Sequence, residues 1–141
     1  MTPTLVQALA EALDGRLRGS YLGRVCRPDA WTLGFEMNGG FTLGFCWEPT
    51  SIAAGLCTWR WPRGAPEEIL SRHGQGARVE RVRAVPGEPS LRVEVSGETA
   101  RAFIWEAIGR SANAFLLGES DLILWSGRLL KGPIRTGRTG E

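Results

Sequence analysis

From residue 31 to residue 45 the chain alternates. In Trp31-Thr32-Leu33-Gly34-Phe35-Glu36-Met37 the large apolar side chains take every second position, and Phe41-Thr42-Leu43-Gly44-Phe45 repeats the pattern after Asn38-Gly39-Gly40. Successive side chains of a strand point to opposite faces, so this spacing puts Trp31, Leu33, Phe35 and Met37 on one side of a sheet and builds no amphipathic helix. Asn-Gly-Gly supplies the positive backbone angles of a tight hairpin. A hairpin with one such apolar face must bury it against a second layer.

The segments on either side say what that layer is. Residues 4–14 (TLVQALAEALD) place Leu5, Leu9, Ala12 and Leu13 at helical spacing, with Thr2 or Thr4 as cap, Pro3 in the first turn and Gly15 as the stop. After Gly15 the period falls to two. Strands are expected at 21–27, 31–37, 41–45 and 51–61, then a short helix at 66–73 with Pro66, Glu67 and Glu68 in its first turn. Further strands are expected at 78–85, 91–95, 101–108, 114–117 and 122–125. This order predicts an α+β fold, a mostly antiparallel β-sandwich with an N-terminal helix and one middle helix. It reads as a single domain over 1–127 followed by a basic, flexible C-terminal tail over 128–141.

Composition narrows the class. In 141 residues, 43% apolar and 23% charged side chains match an ordinary globular domain. The 19 glycines are scattered, which fits many turns and bulges. No apolar run is long enough for a membrane span and no leader pattern opens the chain, so the expected location is cytoplasmic, with no membrane partner. Cys26, Cys46 and Cys57 are an odd number without paired spacing, so free buried thiols are expected. The net charge of +2 is too small to argue for nucleic acid. Its distribution adds two basic groups, one of Arg72, Arg78, Arg81 and Arg83, the other of Arg128, Lys131, Arg135 and Arg138.

No recognisable chemistry emerges. Residues 132–139 (GPIRTGRT) approach a phosphate loop, but Arg138 stands in place of the lysine and only two residues follow, too few for the helix that the device needs. Cys26, Cys46, Cys57 and His73 lack the close ligand pairs of structural zinc sites. His73, the sole histidine, sits beside a helix end, no Gly-x-Ser-x-Gly elbow surrounds a serine, and the acids fall at a helix start or within strands. No enzyme activity, metal or cofactor is therefore expected. Trp59-Arg60-Trp61 puts two indoles on one side of a strand and a guanidinium on the other, a pattern able to stack bases or form an interaction patch. Large aromatics more often close a core edge.

The 105–125 stretch, WEAIGRSANAFLLGESDLILW, carries a resemblance. Its Glu-x-x-Gly-Arg-x-x-Asn phrase, followed by Phe-Leu-Leu, Gly and Asp-Leu-Ile-Leu, resembles the closing hairpin of the NFACT amino-terminal domain, also called the fibronectin-binding A amino-terminal domain. Leu9-x-x-x-Leu13 with Leu17-x-Gly19, Arg24-Val25-Cys26-Arg27-Pro28, residues 31–45, and Ile69-Leu70-Ser71-Arg72-His73 before Gly76-Ala77-Arg78-Val79 are similar to that family in the same order. The resemblance covers about 5–126.

It implies a sandwich related to the amino-terminal domain of formamidopyrimidine-DNA glycosylases. It also implies kinship with ribosome quality control proteins that bind tRNA and the obstructed large ribosomal subunit, and extend the stalled chain without a template. Those proteins carry further helical and C-terminal RNA-binding parts, so a partner protein supplying them is a further expectation. Thr2 stands where the tailing members have an acid, and Glu88-Pro89 where they have Asp-Arg. Proline brings no guanidinium fork for phosphate. Met1-Thr2-Pro3 also lacks the terminal proline amine of the glycosylases.

Two readings follow. One is a noncatalytic RNA-binding module, with tRNA or ribosomal RNA of the large subunit as partner and Arg110, Asn113, Arg72, His73 and Arg78 as contacts. In this reading Gly109 permits a bend, Asn113 caps it and Arg110 projects from it. The other is a protein-interaction or assembly domain that has lost tRNA engagement and uses Trp59, Arg60 and Trp61. A DNA-processing enzyme is a third class, without a poised amine or carboxylate to support it.

Overall fold

The computed structural model describes residues 1–128; the basic segment 129–141, with its GPIRTGRT phrase, lies outside the described residues. Helix α1 (Pro3–Leu17) comes first. Four strands follow: β1 (Val25–Asp29), β2 (Thr32–Met37), β3 (Phe41–Cys46) and β4 (Ala53–Cys57). Helix α2 (Glu68–Gly74) leads to β5 (Arg78–Ala84), β6 (Ser90–Ser96), β7 (Ala102–Glu106), β8 (Asn113–Leu117) and β9 (Ile123–Ser126). Each set of strands is an antiparallel meander in chain order, four-stranded and five-stranded. The expected α+β antiparallel sandwich with two helices is the observed fold.

The core lies between the sheets. Leu33, Phe35, Leu43 and Phe45 of the first meet Leu91, Val93, Phe103, Trp105 and Leu116 of the second, all essentially without solvent contact. The rings interlock, with Phe35 edge-on to Phe103 at 5.4 Å and Phe45 against Phe103 at 4.7 Å. Each such side chain contributes about 1.5–3 kcal/mol on burial. A hydrogen bond joins the layers directly, from Trp105 Nε1 to the Cys46 carbonyl at 3.0 Å.

Helix α1 is capped by Thr2, whose Oγ1 accepts from the Leu5 amide at 3.2 Å, and Pro3 opens it. It does not stop at Gly15. It runs one turn further, because the glycine faces open space and Leu17 reaches the core. The buried stripe is therefore Val6, Ala10, Leu13 and Leu17, while Leu5 and Ala12 of the expected stripe face solvent.

Two expected strands differ. Residues 21–27 divide between the sheets. The Gly19, Ser20 and Leu22 backbones bond alongside β5, with Tyr21 bridging Arg78. From Gly23 the chain turns to β2, the Gly23 amide donating to the Glu36 carbonyl and the Glu36 amide to the Arg24 carbonyl, both at 2.8 Å. Pro28-Asp29 ends β1 from within.

The expected strand 51–61 stops at Cys57. Residues 58–65 instead form a strap across the outer face of the first sheet. Its start is held where Thr42 Oγ1 donates to the Trp59 carbonyl at 3.0 Å, and its end where the Arg27 amide donates to the Arg63 carbonyl at 2.7 Å. The reason lies in the register. Gly34, Gly44 and Gly55 are cross-strand neighbours and leave a trough without side chains. The Trp61 indole fills it over Gly34 and Gly44. Trp59 and Trp61 thus do not share a strand face: Trp61 is half-buried on the outer face and Trp59 is 62% exposed. Neither closes the core edge.

Helix α2 begins after Pro66 and Glu67. The remaining strands agree with expectation apart from shifts of one or two residues at their ends. No helix among the described residues is long and apolar enough to cross a membrane. The thiols are free, but only Cys26 is buried; Cys46 and Cys57 are half-exposed on the trough side of β3 and β4.

Candidate functional site

The corner between β7 and β8 is built to be stiff. Gly109 takes a φ of +46°, which begins a single 3-10 turn over Gly109–Ser111. The Ser111 amide donates to the Ile108 carbonyl at 2.8 Å and the Ala112 amide to the Gly109 carbonyl at 3.1 Å. Arg128 braces this turn from the chain's far end. Its guanidinium donates to the carbonyls of Arg110 at 2.7 Å and Ala112 at 3.0 Å, and lies 5.5 Å over the Trp31 ring. Arg128 is thus part of the fold and not of a loose tail.

Asn113 completes the brace from inside. Its Oδ1 accepts from the amides of Ala114 and Arg128, both at 2.8 Å, and its Nδ2 donates to the Arg128 carbonyl at 3.4 Å. The side chain is buried and both polar atoms are engaged, so Asn113 positions the corner and offers nothing outward. Arg110 is different. It stands exposed at the tip, forming no ion pair with Glu106, Glu119 or any other described residue.

The other expected contacts lie elsewhere. Arg72 is exposed on the last turn of α2, and the half-buried His73 places Nδ1 2.6 Å from Thr99 Oγ1. Arg78 is paired with Glu80 at 3.2 Å and lies opposite Ser96 across the β5–β6 ladder. These three sit at the end of the second sheet that carries the β6–β7 turn. Arg110 sits at the opposite end, separated by the length of β7, roughly 15 Å at about 3.3 Å per residue. The two basic groups are not one patch. Glu88 and Pro89 share the end of Arg110, since the Pro89 carbonyl accepts from the Ala107 amide at 2.8 Å. Thr2 serves only as the cap of α1.

A second polar cluster escaped the sequence reading. The Arg27 side chain, 10% exposed, lies between the rings of Trp47 and Trp125, at 5.2 and 5.6 Å. Its Nε is 3.5 Å from Glu67 Oε1, and Glu67 Oε2 accepts from Trp125 Nε1 at 2.7 Å. Burial pushes the guanidinium below its ordinary value while Glu67 opposes the shift. The available signal was an arginine inside an apolar strand, which demands a distant carboxylate. Sequence does not say which one. Arg27 is enclosed and forms part of the packing, so this cluster is structural.

The outer trough is the third feature. Beyond Trp61 it continues over Gly55 as an open apolar groove of about 210 Å³, lined by Cys46, Ala53, Gly55, Cys57 and Trp61 among others. Arg60, between the two indoles, points outward 3.8 Å from Glu36. No group of three or more His, Cys, Asp or Glu residues able to hold a metal occurs among the described residues.

No protein-family model matches the chain, and no curated protein sequence matches it. Solved structures do. The N-terminal domain of the fibronectin-binding protein PavA from Streptococcus pneumoniae is similar over 96% of this chain and 57% of that one, with a TM-score of 0.82 and 19% identity. The N-terminal part of the fibronectin/fibrinogen-binding protein of Streptococcus suis gives 0.83 and 18%, over 96% and 57%. The fibrinogen binding protein of Staphylococcus aureus gives 0.80 and 17%, over 92% and 51%. This chain spans just over half the length of each. At that identity the likeness is one of fold: the chain has the α+β sandwich found in the fibronectin-binding A amino-terminal domain.

Proposed function

We propose that this chain is a noncatalytic RNA-binding module of the NFACT amino-terminal type, with tRNA or large-subunit ribosomal RNA as its partner in ribosome quality control. The observation that supports the reading most is Arg110, a guanidinium without a carboxylate partner among the described residues, held out by a corner that Arg128 and Asn113 fix from two sides. The brace fixes the backbone from which Arg110 projects, so contact with phosphate has only that side chain to order and not the loop. Arg72, exposed at the opposite end of the same sheet, is a separate cationic contact for a long polyanion. The buried Asn113 and the paired Arg78 contribute less than the sequence pattern implied.

A salt titration tests this. Filter binding of tRNA is expected to weaken linearly in log affinity against log salt, and Arg110→Ala to reduce that slope by about one. Flat or absent binding at low salt overturns the reading. The second reading, an assembly domain, is favoured by Trp59 and the neighbouring open groove. The matched proteins are named for fibronectin and fibrinogen, so those two ligands form a comparison arm in the same titration.

A further inference from the structure

The β4 edge ends the first sheet: α1 packs beside it, and among the described residues no strand pairs with it. Natural edge strands are usually blunted by lysine, proline or a covering segment. From Thr50 to Trp59 there is no Asp, Glu, Lys, Arg or Pro, and among the described residues nothing hydrogen-bonds to the outward edge of β4. Beside this edge lies the open end of the glycine trough, where a Cβ on Gly55 would meet no atom within 4 Å. Two residues past β4 stands Trp59, the most exposed large apolar side chain of the molecule's described part, at 62%.

The molecule already shows what fits such a trough, because the six-membered ring of Trp61 sits against Gly34 and Gly44. A groove of about 210 Å³ over Gly55 is sized for one more flat ring. Trp59 cannot occupy the slot of its own chain, since Thr42 holds its carbonyl at the start of the strap.

We propose that the chain self-associates as a two-fold dimer through the β4 edge, each copy's Trp59 entering the Gly55 slot of the other. An antiparallel pairing centred on Leu56 sets Cys57 opposite Gly55 of the second copy, and Trp59, at the start of the strap just beyond β4, then stands beside the trough of that copy. The edge carries no charge, so two copies meet without repulsion, and one patch complements itself as a two-fold interface requires. Two indoles at roughly 150–250 Å² each, with two short strand edges, bury on the order of 1,000 Å² in total. That is the lower end for specific interfaces, so a dissociation constant of roughly 1–100 μM is expected.

Sedimentation equilibrium of the chain under reducing conditions, from about 1 to 500 μM, covers that range. The expected result is a reversible monomer–dimer equilibrium. Trp59→Ala and Gly55→Val are each expected to weaken it about tenfold or more, with thermal unfolding unchanged, since Trp59 is exposed and the added side chain enters empty space. Arg110→Ala is expected to leave it unaltered, which separates this result from RNA binding. A wild-type chain that stays monomeric throughout overturns the dimer. A dimer that survives either Trp59→Ala or Gly55→Val overturns this surface.

Discussion

Asp14 Oδ1 accepts a 2.7 Å hydrogen bond from the backbone amide of Val82, 68 positions later in the chain. Val82 follows a register shift in β5, an edge strand whose first half is covered by residues 19–22. Asp14 meets the next outward N–H and ties the last turn of α1 to the second sheet. Arg18 holds the other carboxylate oxygen at 2.6 Å.

The Val82 amide, with help from Arg18, holds the Asp14 carboxyl below its ordinary value of 3.8. A carboxylate more acidic in the folded chain than in the unfolded one stabilises fully above the unfolded value, and this contribution is lost as pH falls through the folded value. Asp14→Ala is expected to cost about 1.5–3 kcal/mol at neutral pH. Asp14→Asn keeps an acceptor and should cost less. In urea melts from neutral pH into the acid range, the gap between wild type and Asp14→Asn should close at the acid end.

The strap makes a prediction about glycine. A Cβ on Gly44 collides with the Trp61 ring, and one on Gly34 would lie 2.9 Å from it. Gly44→Ala should destabilise by about 1–3 kcal/mol through overpacking. Combined with Trp61→Ala, the alanine should cost far less. A double-mutant cycle by denaturant unfolding measures this coupling; additive effects would mean the ring does not lie in the trough.

Glu67 is the sole carboxylate paired with the enclosed Arg27 among the described residues. Glu67→Ala leaves that guanidinium without its counter-charge and the Trp125 indole without its acceptor, so a loss of about 3–5 kcal/mol is expected. Glu67→Gln retains an acceptor for the indole and should lose less. Calorimetric unfolding distinguishes the two.

The corner should depend on its brace. Arg128→Ala removes the donor to the Arg110 and Ala112 carbonyls and should cost about 1–2 kcal/mol. Amide exchange at Ser111 and Ala112 should rise before the sheet itself opens. Gly109→Ala forces a side chain to a φ of +46° and should cost about 1 kcal/mol.

Much of this fold was legible, and its errors share a cause. Alternation located the hairpin of β2 and β3 because Leu33, Phe35, Leu43 and Phe45 face one core. It misjudged 51–61 because periodicity reports that a segment is extended, not which neighbour it pairs with; the strap is extended, yet pinned to a glycine trough visible only once the register is known. The end of α1 was misplaced because Gly15 reads as a stop, whereas tertiary burial of Leu17 carries the helix past it. At the corner, Gly109 and Arg110 were legible as bend and projection. Asn113 was legible as a side chain turned to the backbone, but not its partner, because the sequence does not show that residue 128, 15 positions on, lies beside it. Arg27 with Glu67 stayed hidden because 40 positions separate them.

Both sheets are meanders, so every named ladder joins strands adjacent in sequence, and the backbone crosses between the halves chiefly where residues 19–22 line the edge of β5. A chain cut within 62–66 yields one piece with α1 and the first sheet, and another with α2 and the second. Each piece holds the named strands of its own sheet, and their mutual affinity comes from the aromatic layer between Phe45, Phe103 and Trp105, from the 19–22 segment on β5 and from Asp14 on the Val82 amide. Split-protein reconstitution is thus an available use of this scaffold, with Trp105 as the reporter of reunion.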